Sequence, residues 1–362
     1  MPPSLASQVV NRCLRITAKD DVTISVSKHA IPLAEEFAVE CFRNGADVLM
    51  NLWTDRYQSG YLNLLPVKAL KRPSVFCRAL SETSTAEIFL LAAHDPSIFK
   101  KVPSEKFLAD GEGENEAHLP VMRDRKVRTL SVNLAFLTEP RAKAYGFNFA
   151  KWKRNTAAAA NVDYGKLAAL GKKLRSALSG ARTIRVTAPG GTDLSLDVNG
   201  RKWKVSDGVV DDEDVAAGNL NDSLPAGNLS VCPVEDGAQG VIRFNVPTPI
   251  QGRLVRNFGW RFKDGRVTEF EGDRSAKKIR EQWKGATGDK DVVGSFAIGF
   301  NPKALTGYMI NSLAAGAVTL AIGANLDVGG RNKSTFSFLG TLAGATVAAD
   351  HRTVVKAGKL LV

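Results

Sequence analysis

Histidine is scarce in this 362-residue chain, which holds four: His29, His94, His118 and His351. Only His351 lies beyond residue 118, so a metal centre built on several imidazoles has almost nothing to draw on in the second half. Cysteine is equally thin. Cys13, Cys41, Cys77 and Cys232 are far apart with no C-x-x-C pair, which excludes a disulfide framework and a structural zinc site and suits a reduced, cytoplasmic protein. No apolar run approaches the roughly 18 residues that a membrane helix needs, and Leu313–Gly323 is too short and glycine-broken to serve. The opening Met1-Pro-Pro-Ser-Leu-Ala6 has no basic segment leading into an apolar one, so no signal peptide is expected. Neither G-x-G-x-x-G nor a Walker loop follows any apolar run, which leaves a nucleotide site without support.

What is present is enough apolar residue, 44%, for one large or two ordinary domains. Periodicity predicts a helix over 4–17, a strand at Val22–Val26, a helix over Ile31–Arg43 stopped by Asn44-Gly45, and strands at Asp47–Trp53 and Ile88–Ala93. That alternation argues for an open α/β sheet. Residues 103–126 are helix-compatible with a break at Gly111-Glu-Gly113, and Val127–Phe136 reads as a strand. Helices follow at Arg141–Tyr145, Trp152–Ala160 and Asp163–Leu178. From Thr183 strands dominate: Thr183–Thr187, then Gly191–Val198 turning at Asn199-Gly200 into a partner strand Arg201–Val205. Helices are expected over Arg274–Trp283 and Pro302–Ala315. The expected organisation is an N-terminal α/β domain (1–135), a helical basic connector (136–182) and a β-rich C-terminal domain (183–362).

Charge is uneven. Residues 141–205 carry 14 Lys/Arg against 3 Asp/Glu, a net +11 of the chain's +12, and five acids then fall within 207–214. Such a segment could track phosphates, but no nucleic-acid-binding motif accompanies it. A solvated face is the favoured reading. His29, His94 and His118 have no second ligand type at fixed spacing and read as surface or loop histidines. Asp211–Asp214 lacks the D-x-D-x-D-G pattern and reads as a solvated loop. Cys232 reads as apolar filler, and Tyr308 and Met309 as core on the helix after Pro302.

The second half carries a resemblance. Gly191-Thr-Asp-Leu with Asn199-Gly-Arg201, Leu224-Pro-Ala-Gly227 followed by Pro233, and Phe262-Lys-Asp-Gly-Arg-Val267 stand in one order. Gly294-x-Phe-Ala-Ile-Gly-Phe-Asn301, Gly316-x-x-x-Leu-Ala-Ile-Gly323, Gly330-x-Asn-Lys-Ser334 and a closing hairpin at Arg352–Gly358 continue it. Together they resemble the aminopeptidase T family (thermophilic-type leucyl aminopeptidases, peptidase family M29). The resemblance covers essentially the whole chain. It implies an open α/β domain followed by a β-rich domain, a homodimer enclosing a chamber, and two divalent ions that activate water against a peptide bond.

The same resemblance locates the expected metal ligands, and none has a strong donor. The glutamate positions fall on Asn228 and Ser295, the histidines on Thr319 and Ser337, the tyrosine on Leu326 and the aspartate on Leu339. Dihydroxypyridine dioxygenases on the same scaffold keep an H-x-D for iron, which Ser337-Phe-Leu339 also lacks. No metal and no cofactor is therefore expected, and the favoured reading is a small-molecule or peptide binder in the inherited chamber. The alternatives are a metal-independent hydrolase or lyase using a Ser or Thr hydroxyl with His351, Glu269 or Glu271 as base, and an interaction protein using 141–205. Expected partners are a second copy of the chain and a small ligand, with neither nucleic acid nor membrane. Electrophoretic retardation tests the nucleic-acid reading. No shift of DNA or RNA is expected at about 50 mM salt, and a salt-sensitive shift would reinstate it.

Overall fold

Asp20 is where the first unit of the chain is tied together. In the computed structural model, which describes residues 3–99 and 101–362, it lies at the N-terminal edge of a five-stranded sheet. Met1 and Pro2, the start of the segment read for a leader, lie outside the described residues. Every pairing in this sheet is parallel, in the order Asp47–Trp53, Asp21–Ser27, Ala86–Leu90, Arg128–Val132, Asn221–Leu224. The carboxylate of Asp20 accepts the Thr17 amide at 2.8 Å and the Thr85 hydroxyl at 2.7 Å, and also a guanidinium N–H of Arg128. Its carbonyl accepts the Asp47 amide at 3.1 Å, so one residue joins the starts of four strands. Between the first two strands runs the helix Ile31–Arg43, burying Ala34, Phe37, Ala38 and Cys41 as its period requires.

Parallel strands covered on both faces usually read as unbroken apolar runs, and Asp21–Ser27 departs from that. Val22, Ile24 and Val26 fill one face while Thr23, Ser25 and Ser27, equally buried, occupy the other. That polar face is hydrogen-bonded: Thr23 to the Ser84 hydroxyl at 2.7 Å, Ser25 from the Asn51 amide at 3.2 Å, and Ser27 from the Ala92 amide at 3.0 Å.

The second unit is antiparallel throughout its two large sheets. One has eight strands, from Arg266–Gly272 at one edge through Phe258–Lys263, Ala238–Phe244, Thr192–Asp197, Thr183–Ala188 and Thr346–Ala349 to Arg352–Lys356 and Lys359–Leu360. The other has five, in the order Ser337–Leu342, Val318–Gly323, Val293–Gly299, Asn228–Val231, Lys204–Ser206. Aromatic rings join the two sheets: Phe338 lies tilted 5.0 Å from Phe258 and edge-on 6.1 Å from Trp260. The compact units are residues 1–153 with 208–225, and 154–207 with 226–362, so the strand Asn221–Leu224 returns to the first unit.

Several expectations are corrected. Residues 4–17 divide into a short α-helix, Leu5–Gln8, and a π-helical turn, Val9–Cys13. Gly111 and Gly113 break nothing, because Ser104–Arg125 is one helix. A Cβ on Gly113 would stand 2.5 Å from the Leu70 carbonyl oxygen, so this glycine permits close packing rather than a turn. The strand at Val127–Phe136 stops at Val132 and gives way to a 3-10 turn. Arg201–Val205 does not pair back onto Gly191–Val198. Its end, Lys204–Ser206, crosses to the other sheet and pairs with Asn228–Val231. Pro302–Ala315 is not a helix: the Asn311 side-chain carbonyl captures the Gly307 and Tyr308 amides, at 2.7 and 3.1 Å, leaving only a 3-10 turn at Asn311–Leu313. Tyr308 and Met309 are accordingly only half-buried. The acidic run is not a loop; Asp211 and Asp214 form the capping box of the helix Asp212–Ala217.

Burial works to raise the Asp20 pKa, but the Thr85 and Thr17 hydrogen bonds and the Arg128 charge outweigh it and hold it below the usual carboxylate range. Its folded value being depressed, its contribution is complete above the unfolded value and is lost as pH falls through the folded one. Asp20→Ala, which strands Arg128, is expected to cost about 3–5 kcal/mol. The readout is the urea midpoint at pH 7. A shift that persisted undiminished at pH 2 would contradict the assignment.

Candidate functional site

Strand alternation decides what the five-stranded sheet offers to a ligand. Leu229, Val231, Phe296, Ile298, Val318, Leu320, Ile322, Phe338 and Leu342 point into the core of the unit. Cross-strand register then places the intervening residues together on the opposite face. Thr319 pairs with Thr341 and Ala297, Ala297 with Ser230, Leu339 with Ala321, Ser337 with Gly323 and Asn228 with Gly299. Asn228, Thr319, Ser337 and Leu339 therefore share one sheet face. Ser295, half-buried, sits where the Val293–Gly299 register slips, beside the same strands.

The face is graded. At one end the buried Thr319 and Thr341 hydroxyls bond each other at 3.0 Å. At the other, Ser337 and Leu339 are exposed, Leu339 by 44%. Leu326 stands on a separate loop turn, Leu326–Val328, and is 54% exposed.

That loop is held by asparagines. Asn332 donates to the Val293 and Gly323 carbonyls at 2.8 and 3.1 Å, and its backbone N–H to the Asn325 side-chain carbonyl at 2.8 Å. Asn325 in turn donates to the Gly294 carbonyl at 2.8 Å, next to Ser295. A Cβ on Gly330 would overlap the Asn325 amide at 2.1 Å, which explains a glycine there. The segment Gly330-x-Asn thus shapes the loop without contributing a ligand.

None of the bases considered from the sequence lies on this sheet. His351 is exposed in the turn between Thr346–Ala349 and Arg352–Lys356 of the eight-stranded sheet. Glu269 is paired with Arg261 and Glu271 with Arg243, each at 3.2 Å, on the same larger sheet. Cys232 is half-buried with its thiol 3.6 Å from the Val328 carbonyl.

The residues at the six positions do not fit two divalent ions. An amide, three hydroxyls and two alkyl groups include no carboxylate or imidazole, the donors such ions require. Among the described residues no three His, Cys, Asp or Glu side chains come together to hold a metal ion. Nor does any helix have the length and apolarity to cross a membrane. Within the basic segment, Arg141 is buried against the Ala93 carbonyl at 2.9 Å, and Arg185 and Arg201 pair with Asp193 and Glu235.

One expectation is overturned outside this sheet. His118 is no surface or loop residue; it is partly buried on the helix Ser104–Arg125 and bonded to Ser81 at 2.8 Å. His29 likewise has a carbonyl partner, Ala135, at 2.7 Å.

The thermophilic metalloprotease (M29) family profile matches residues 3–326. Two solved structures share the fold at 16% identity each. The wild-type AmpT of Thermus thermophilus matches with a TM-score of 0.69 over 99% of this chain and 98% of its own. A 2,5-dihydroxypyridine dioxygenase from Pseudomonas putida KT2440 matches with a TM-score of 0.64 over 96% and 93%. No curated protein sequence gives a significant match. The expected α/β and β-rich architecture of the aminopeptidase T type is therefore the observed fold.

Replacing Asn332 by Ala would orphan two buried carbonyls and is expected to cost about 1–3 kcal/mol, whereas Ser337→Ala on the open face should stay within about 0.5 kcal/mol. Chemical denaturation of the two variants checks this. Equal losses would show that the asparagines do not carry the loop.

Proposed function

Because the chain belongs to the thermophilic metalloprotease (M29) family while the positions at which the resemblance expects metal ligands carry no carboxylate or imidazole, we propose a non-catalytic member that binds a small molecule or peptide. The observation that carries this reading is the shared face of Asn228, Thr319, Ser337 and Leu339: neutral, with a buried pair of threonine hydroxyls at one end and an exposed serine and leucine at the other. Such a face can accept amide and carbonyl groups of a ligand, but it supplies neither a Lewis acid nor an activated nucleophile.

Chemistry without metal finds less support. A Ser or Thr nucleophile needs a base within hydrogen-bond reach. The Thr319 hydroxyl is engaged by Thr341, and the bases considered lie on the other sheet, two of them already paired with arginines. The proposal includes a homodimer in a reducing, cytoplasmic setting. Four cysteines not joined by disulfides, two of them fully buried, are compatible with that setting. Binding of nucleic acid through 141–205 is not part of it, since several of those arginines are engaged within the fold.

Metal analysis of the purified chain, paired with an aminoacyl-chromogenic peptide assay in added zinc, cobalt or manganese, is the direct test. No stoichiometric metal and no turnover are expected. One or more tightly held ions per chain together with turnover would overturn the proposal.

A further inference from the structure

The polar face of the parallel sheet in the first unit forms the floor of a cavity of about 320 Å³. Ser25 and its neighbours in register, Asn51 and Phe89, make the middle row, with Thr23 and Glu87 beside them. The helix Val75–Thr83 contributes Phe76, Cys77 and Ser81; the helix Ser104–Arg125 contributes Glu114, Asn115 and His118. All of these belong to one compact unit, apart from the sheet face discussed above.

Glu87 is the informative residue. It is only 4% exposed, and one carboxylate oxygen, Oε1, accepts the Ser81 hydroxyl at 3.1 Å. The other, Oε2, lines up with no hydrogen-bond donor; the nearest positive candidate, His118 Nδ1, is 3.6 Å away and bonds Ser81 instead. Ser81 has one proton, so if it donates to Glu87 its oxygen accepts Nδ1–H of His118, and Oε2 is left without a donor. A buried carboxylate oxygen in that condition is costly unless something supplies a donor. This is not a hydrolytic triad, because serine and acid both meet the same imidazole nitrogen rather than opposite ones.

The second carboxyl, Glu114, belongs to a residue that is exposed overall, and partial desolvation of its carboxyl, then Asp110, push it up. Burial also raises Glu87. Two acids with raised values and no Lys or Arg among the lining residues describe a site short of positive charge. Since no three metal-ligating side chains come together among the described residues, a metal ion does not answer that need. The remaining wall is aromatic: Trp53 and Tyr57 meet edge to face at 5.6 Å, Phe89 meets the His118 ring at 6.0 Å, and Phe76 stands exposed at the rim. Aromatic faces beside carboxylates attract ammonium ions with apolar bodies.

We propose that this cavity is a binding site for a small organic amine with an aromatic or aliphatic body and no carboxylate of its own. The ammonium donates to Glu87 Oε2 and Glu114, and the body lies against Trp53, Tyr57 and Phe89. An amino acid would bring a carboxylate into a cavity with no Lys or Arg to meet it, next to two acids. The site therefore discriminates an amine from the corresponding amino acid by charge rather than by shape.

Isothermal titration of the full chain with 2-phenylethylamine, phenylalanine and 3-phenylpropionate reads this out. Saturable binding of the amine is expected, with phenylalanine at least about tenfold weaker and phenylpropionate undetectable. Glu87→Gln, which removes the charge and keeps the shape, should weaken amine binding at least about tenfold. Glu114→Gln, at a more open position, gives the same test should Glu87→Gln not fold. No amine binding at millimolar concentration, equal affinity for amine and amino acid, or affinity unchanged by the folded variant would each overturn the proposal. The proposal does not depend on the reading of the other unit, which is tested by metal and turnover.

Discussion

The packing of Phe338 against Phe258 and Trp260 fixes the register of Ser337–Leu342, and much of the second unit follows from it. Because side chains alternate along a strand, committing Phe338 to the core commits Ser337 and Leu339 to the opposite face. Cross-strand pairing passes that choice to Thr319 and Asn228. A one-residue slip would bury the serine and expel the aromatic ring, which the aromatic cluster forbids. The residues on the opposite face are thus set by what the interior requires.

This separates two jobs that a family resemblance tends to merge. Gly330, Asn325 and Asn332 shape a loop through close packing and side-chain bonds to the backbone. Ser337, Leu339 and Leu326 are open to solvent and carry little of the stability. Substitution at the second group changes chemistry with slight penalty to folding. Substitution at the first changes folding itself.

Legibility in the sequence followed the same division. Strong local signals were sufficient for Asp21–Ser27 and Ile31–Arg43, where period and stop chemistry agree. They misled where tertiary contact overrode them: at Gly113, which is a packing residue, and at 302–315, where Asn311 competes for backbone amides. The crossing of Lys204–Ser206 to another sheet and the strand Asn221–Leu224, with its Asn-Asp-Ser start, carry no pattern that announces them. The candidate positions were named through motif order, whereas the sheet face that four of them share follows only from cross-strand register. The cluster of Ser81, Glu87, Glu114 and His118 was not, since its members lie on three elements joined only by folding. One signal was available: polar residues alternating through an otherwise apolar central strand at Thr23, Ser25 and Ser27.

The return of Asn221–Leu224 to the first sheet bears on the order in which the protein is made. Its parallel partner, Arg128–Val132, leaves the ribosome long before it, with the start of the second unit in between. Until that stretch emerges, Arg128–Val132 is an unpaired edge, open to the wrong neighbour. The nascent chain therefore holds an incomplete sheet while it begins another.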